Sequence, residues 1–224
     1  MRMFLVLTVS VFLSSLAYGE GAVLQLITVT TKDIQGTLRR YERKMVSGNW
    51  KEIGSPFKVV IGKNGLAGEN LKREGDGKAP YGLFTLGNAF GYSSFPESKL
   101  NYAKSLPSHE CVDDVKSKYY NQIVDRSLHK DADWNSSELM KRNDDLYKLG
   151  IVVNYNTKNT EPGNGSCIFL HIWRNDSTGT AGCTAMEENN ILELMKWLDQ
   201  TKNPLLAQLP EGDYESHKKI WDLP

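Results

Sequence analysis

Apolar and β-branched residues recur along this chain in short runs, and most of them read as strands. Val23 to Thr31 runs Val-Leu-Gln-Leu-Ile-Thr-Val-Thr-Thr, and Thr37 to Met45 alternates bulky with charged residues before a Ser-Gly-Asn turn; the pair predicts two strands of an antiparallel sheet. Phe57 to Ile61, closed by Gly62, is a third candidate, and Leu83 to Leu86 a fourth. Ile151 to Tyr155 and Cys167 to Ile172 add two more, and Pro204 to Pro210 reads as a closing strand. Glu187 to Gln200 follows the other period: Ile191, Leu194, Met195 and Leu198 fall on one helical face, with Glu187 and Glu188 suited to the first turn. The fold class predicted is mostly β with a few helices.

Between about residues 92 and 149 neither period holds. The stretch is polar, aromatic and charged, too long for a bare loop in a compact domain, and is expected to be an insertion with short helices, serving as lid and wall of a cleft or as a plain covering of the sheet. The charged tail around Trp221 is expected to pack back or to remain free.

The start of the chain has a separate character. Met-Arg precedes an apolar run from Met3 to Leu16 and then Ala17-Tyr18-Gly19, the pattern of a secretory signal peptide with cleavage after Gly19. The run is shorter than the ~20 residues a spanning helix needs, so no stable membrane insertion is expected after cleavage, and residues 20–224 form one domain. Cleavage would remove one cation, Arg2, leaving 26 Lys plus Arg against 27 Asp plus Glu. That near-neutral balance gives no electrostatic reason to expect nucleic acid or an anionic membrane as partner. Three cysteines in an exported chain are an odd number. If Cys183 is a nucleophile, Cys111 and Cys167 remain for a disulfide, with two buried thiols as the alternative; Cys167 and His171 share strand parity and are expected to face one side.

Candidate chemistry lies in the stretch Ser-Cys-Ile-Phe-Leu-His171-Ile-Trp-Arg-Asn-Asp-Ser-Thr-Gly-Thr-Ala-Gly-Cys183. The apolar run before His171 predicts a buried strand ending at the imidazole, and the polar residues after it a turn that returns the thiol to its side. An imidazole beside a thiol is the minimum equipment for acyl transfer through a thioester. Gly182 before the nucleophile is expected to let the backbone turn sharply and bring amide N–H groups close to a developing oxyanion.

These residues resemble the active-site motif of the L,D-transpeptidase catalytic domain (YkuD-like) family, with Thr180-Ala181-Gly182-Cys183 in the place of its Ser/Thr-x-Gly-Cys sequence. Glu74-Gly-Asp76-Gly-Lys78-Ala-Pro80-Tyr-Gly82-Leu-Phe84 is similar to the family's upstream Gly-Lys-Thr-Pro-x-Gly-x-Phe/Tyr signature. The resemblance runs from about residue 23 to 210 and is to a divergent short-loop branch: Ala181 stands where the commonest form has histidine, Ala185 where it often has Arg or Asn, and the His-to-Cys interval is shorter. It implies a β-sandwich or open-barrel fold and action on the peptide stems of bacterial peptidoglycan, most simply in the periplasm. Cys183 would attack the carbonyl of the L-centre of a diamino acid, and a terminal D-residue would leave. His171 would take the thiol proton and later protonate the leaving amine. No metal or organic cofactor is implied. An amine acceptor gives a transpeptidase and water an L,D-carboxypeptidase or another hydrolase; a wall-binding protein with a dead site is the alternative from another class.

Around this centre, Arg174 is a candidate for a substrate carboxylate, Trp173 for stacking on the stem, and Thr180 for the motif's hydroxyl. Asp176, Ser177, Thr178 and Thr180 are each near enough in sequence to fix the imidazole tautomer. Asp76 and Lys78 are expected to shape their loop. His109, His129 and His217 lack metal-site spacing, and the glycines match no phosphate-binding loop.

Overall fold

The computed structural model describes residues 21–95 and 97–224, so the expected signal peptide lies outside the described residues. In chain order the strands are β1 (Gln25–Lys32), β2 (Gln35–Glu42), β3 (Lys51–Glu52), β4 (Phe57–Val60), β5 (Gly82–Gly91), β6 (Tyr102–Lys104), β7 (His109–Val112), β8 (Ile123–Asp125), β9 (Ser137–Leu139), β10 (Leu149–Val153), β11 (Phe169–Ile172), β12 (Thr184–Met186) and β13 (Leu205–Pro210). The helices are α1 (Glu188–Trp197) and α2 (Tyr214–Lys218).

Eight strands run in the order β1-β13-β5-β10-β11-β12-β4-β2, and β2 pairs back onto β1. The sheet therefore closes on itself, in keeping with the expected mostly β, sandwich- or barrel-like fold. Closure comes from β1, which pairs antiparallel with β2 over eight residues and parallel with β13 over six. Closing a sheet in this way removes the unpaired edges that an open one exposes.

The buried pattern of β1 explains its near-continuous apolar run. Ile27 and Val29 join the main core with Leu38, Val59, Ile61, Leu86, Ile151, Leu170 and Met186. Leu26, on the opposite face, joins a second cluster with Tyr41, Leu205, Leu209 and Leu223. The C-terminal segment thus packs back: Trp221 lies edge-on to Tyr81 at 5.6 Å, and Asp222 pairs with Arg43 at 2.5 Å. Helix α1 buries Ile191, Leu194 and Met195, the face its spacing predicts, and packs on β10 and β11.

Residues 92–149 depart from expectation. Among the described residues they hold a small antiparallel sheet in the order β8-β7-β9 and a 3₁₀ turn, Arg126–Leu128, instead of short α-helices. The reason is local: strands of three or four residues alternate with turns made by Asp, Asn and Ser, and no apolar run is long enough to nucleate a helix. A disulfide, Cys111–Cys167, ties β7 to the segment entering β11. Cys167 itself is not in that strand. It has φ of +55°, a left-handed conformation rare outside glycine, so the expected shared strand parity with His171 does not apply.

Candidate active site

Strands β11 and β12 lie side by side and parallel, with Leu170 opposite Thr184 and His171 opposite Ala185. Cys183 sits one residue before β12, so the topology brings the imidazole and the thiol to one face of neighbouring strands. Both line a cavity of about 490 Å³. Gly182, Arg174, Trp173 and Thr180 line it too, so the structure gathers all six site residues expected from sequence.

The loop carrying the thiol is held by the barrel. Thr180 N–H donates to the Ile61 carbonyl and Lys63 N–H to the Thr180 carbonyl, both at 2.8 Å. The Thr180 hydroxyl donates to the Cys183 carbonyl at 2.6 Å and accepts from Gly182 N–H at 3.1 Å. Thr180 therefore builds the turn, and Gly182 N–H is already engaged.

Gly182 is not in a left-handed turn. Its glycine is favoured by space: a Cβ there would stand 3.0 Å from the carbonyl oxygen of Lys78, in the upstream signature, a contact tight enough that this backbone would have to give by a few tenths of an ångström. The two motifs that resemble the family thus meet at this backbone contact. Gly182→Ala is expected to cost about 1–3 kcal/mol of stability, since backbone has to move, and to slow acyl transfer; a thermal melt with a rate assay checks both.

In that upstream loop Asp76 accepts from Lys72 Nζ at 2.7 Å and from the N–H groups of Arg73 and Lys78, each at 2.8 Å. Asp76 shapes the loop as expected, but its ion partner is the buried Lys72 and not Lys78.

Cys183 is 5 % exposed. Phe169 N–H donates to its sulfur at 3.3 Å, and its S–H reaches the Cys167 carbonyl at 3.4 Å. Burial, then the charge of Glu138, push its pKa far above the ordinary thiol value. Phe169 N–H, the Lys72 ammonium and the Tyr147 hydroxyl act in the opposite direction. The resting thiol is accordingly neutral.

His171 is also buried, and burial pushes its pKa down to about 4. Its Nδ1 lies 2.7 Å from the Ile172 carbonyl, which can only accept, so Nδ1 carries the proton and Nε2 the lone pair. The tautomer is fixed by the backbone of the next residue and by none of the side chains at 176, 177, 178 or 180. A base at Nε2 therefore stays unprotonated well below the usual histidine range.

This has a stability consequence. The unfolded imidazole binds its proton near 6.5 and the folded one near 4, so the neutral buried form contributes fully above about 6.5 and that contribution is lost as pH falls toward 4. The loss amounts to ~3 kcal/mol over that window. Relative to wild type, His171→Gln should show a weaker acid dependence of urea midpoints between pH 4 and 6.5; equal dependence would contradict the neutral imidazole.

The polar and charged lining also includes Lys72, Glu74, Asp113, Glu138, Arg142 and Tyr147, none of which sequence reasoning by itself gives a role in the site. Four of these belong to the insertion, which is thereby a wall of the cavity. Arg174 has a 64 % exposed side chain and sits 3.6 Å from Asp144, which Arg142 also grips. Trp173 lies at the same rim. No periodicity marks these wall residues, because they stand on strands of three or four residues and in loops.

A closed β-barrel that presents a buried thiol and a tautomer-fixed imidazole to one cavity defines a candidate cysteine acyl-transfer site. The family of the L,D-transpeptidase catalytic domain, YkuD, matches residues 37–206, and the chain belongs to that family. No curated protein and no solved structure matches it.

Proposed function

We propose that this protein is an exported cysteine acyltransferase that acts on peptidoglycan peptide stems, with Cys183 as nucleophile and His171 as base. The observation that carries the reading is the fixed tautomer: Nδ1–H is held on the Ile172 carbonyl, so Nε2 is the basic atom in a cavity shared with the Cys183 thiol. In the first half-reaction Nε2 takes the thiol proton as sulfur bonds to the substrate carbonyl carbon. Backbone N–H groups beside Cys183 hold the oxyanion. The C–N bond to the terminal residue then breaks as the leaving amine takes that proton from His171 Nε2, and a thioester remains.

The cavity's charges suit such a ligand. Lys72, Arg142 and Arg174 offer cations to carboxylates, while Glu74, Asp113 and Glu138 face ammonium groups, and a stem containing a diamino acid carries both. Export is part of the proposal, and the Cys111–Cys167 disulfide supports it, since such bonds persist in oxidising compartments. Among the described residues no helix is long and apolar enough to cross a membrane.

Product analysis of residues 20–224 incubated with disaccharide tetrapeptide tests the reaction. A dimer joined through two L-centres, absent with Cys183→Ala, is the expected result. Tripeptide alone would make the enzyme a carboxypeptidase. Neither product would overturn the substrate class.

A further inference from the structure

Trp173 belongs to two concavities. Its N–H donates to the Met186 carbonyl at 2.8 Å, which continues the β11–β12 pairing, so it stands two strand positions, roughly 7 Å, beyond His171 on the same face. Both residues line the catalytic cavity. Trp173 also lines a groove of about 690 Å³ bordered by the β1–β2 turn, β4 and the loop that follows β11. Ile61 N–H donates to the Ile34 carbonyl at 2.9 Å, Thr180 N–H to the Ile61 carbonyl at 2.8 Å, and Gln35 Nε2 to the Asp176 carbonyl at 3.0 Å. The turn, the exit of β4 and the loop carrying the nucleophile are thus bonded in series, and the groove is fixed relative to Cys183 before a ligand arrives.

The distribution of polarity in this groove selects the ligand. Its charged side chains, Lys32, Asp33, Lys58, Asp176 and Glu211, are all exposed, so charge is confined to the rim. The less exposed lining is neutral: Thr30 and Thr37 supply hydroxyls, Ile34 and Val59 apolar surface, and Trp173 an aromatic ring. The carboxylates and ammonium groups of a peptide meet no buried partner there. A sugar brings hydroxyl and amide groups for the threonines and an apolar C–H face for the indole. Taking the peptidoglycan reading as given, we infer that this groove is a saccharide subsite that holds the glycan end of the substrate, with Trp173 as the platform where the stem leaves the catalytic cavity.

In the catalytic cavity the order is reversed, with Lys72 buried and Glu74 half-buried. The ionic stem and the neutral glycan therefore each have a matching surface, and the two surfaces meet at Trp173. Contacts to the sugar, remote from the reacting bond, help to place the scissile carbonyl against Cys183.

The first test is kcat/KM for disaccharide tetrapeptide divided by kcat/KM for the free tetrapeptide, a ratio from which any general loss of activity or folding cancels. Wild type should favour the disaccharide form by about 10-fold, equivalent to ~1.4 kcal/mol of sugar contact. Thr37→Arg and Ser177→Arg, which fill the groove from opposite walls outside the catalytic cavity, should each bring the ratio near unity. The second test is titration with chitotetraose, a stem-free N-acetylglucosamine oligomer, followed by amide chemical shifts. Saturable changes should appear at Thr30, Gln35 and Gly36 in wild type and disappear in both variants. A wild-type ratio near unity, a ratio that either variant preserves, or an absence of shifts in the groove overturns the subsite. If neither peptide is turned over, the peptidoglycan reading fails and the titration alone decides the groove: saturation there upholds a saccharide site, and no shift removes it.

Discussion

Replacing Cys183 by alanine is expected to reduce acyl transfer by on the order of 10⁶-fold, the scale seen when the nucleophile of a Ser-His-Asp enzyme is removed. His171→Gln should have an effect of the same order, and the double variant should be little worse than either single one, because thiol and imidazole act as one unit. The structural reason is the neutral resting pair: burial disfavours both thiolate and imidazolium, so neither group serves without the other. Each variant is expected to remain folded. Values of kcat/KM for the two single variants and the double decide the matter, and additive losses would mean that the two residues act in separate steps.

Loss of the disulfide is the second large effect. The Cys111–Cys167 bridge closes a loop with a sequence separation of 56, and on the chain-entropy account its removal costs about 4 kcal/mol, a fall in Tm of roughly 10 °C for a domain of this size. Activity should fall further than stability alone explains. Cys167 holds its left-handed conformation between the disulfide and Asn121, whose side-chain oxygen accepts its N–H at 2.9 Å, and its carbonyl is the one that meets the Cys183 thiol. Cys111 is also the ladder partner of Glu138. Cys111→Ser should therefore lower kcat/KM at temperatures where circular dichroism shows it fully folded. A variant less stable but fully active when folded would limit the bridge to stability.

Much of the centre is legible in the amino-acid sequence. His171, Gly182 and Cys183 stand out because polar turn-formers separate an apolar strand from a Gly-Cys pair, and all the expected lining residues meet in one cavity. Barrel strands and α1 are legible for the same reason: alternation and helical spacing report which face is buried. The left-handed Cys167 is not legible, because a β-favouring run gives no sign that its first residue is turned by a disulfide and an asparagine 46 positions away. The role of Gly182 is only half legible. Proximity to the Lys78 carbonyl is a long-range contact, and no local pattern encodes it. Nor can sequence select Tyr147 and Glu138 from a polar insertion whose short strands carry little periodicity. The imidazole partner escapes sequence reasoning because a backbone carbonyl, that of Ile172, leaves no residue-type signal.

The central claim is that Cys183 forms a thioester with a peptide stem. Intact-mass spectrometry of the protein mixed with disaccharide tetrapeptide and quenched in acid within the first turnover tests it most directly. The account predicts a mass gain equal to the stem minus its terminal residue, mapped to the Cys183 peptide, released by hydroxylamine and absent from Cys183→Ala. An adduct on any other residue, or products formed by the Cys183→Ala variant at the wild-type rate, would contradict it.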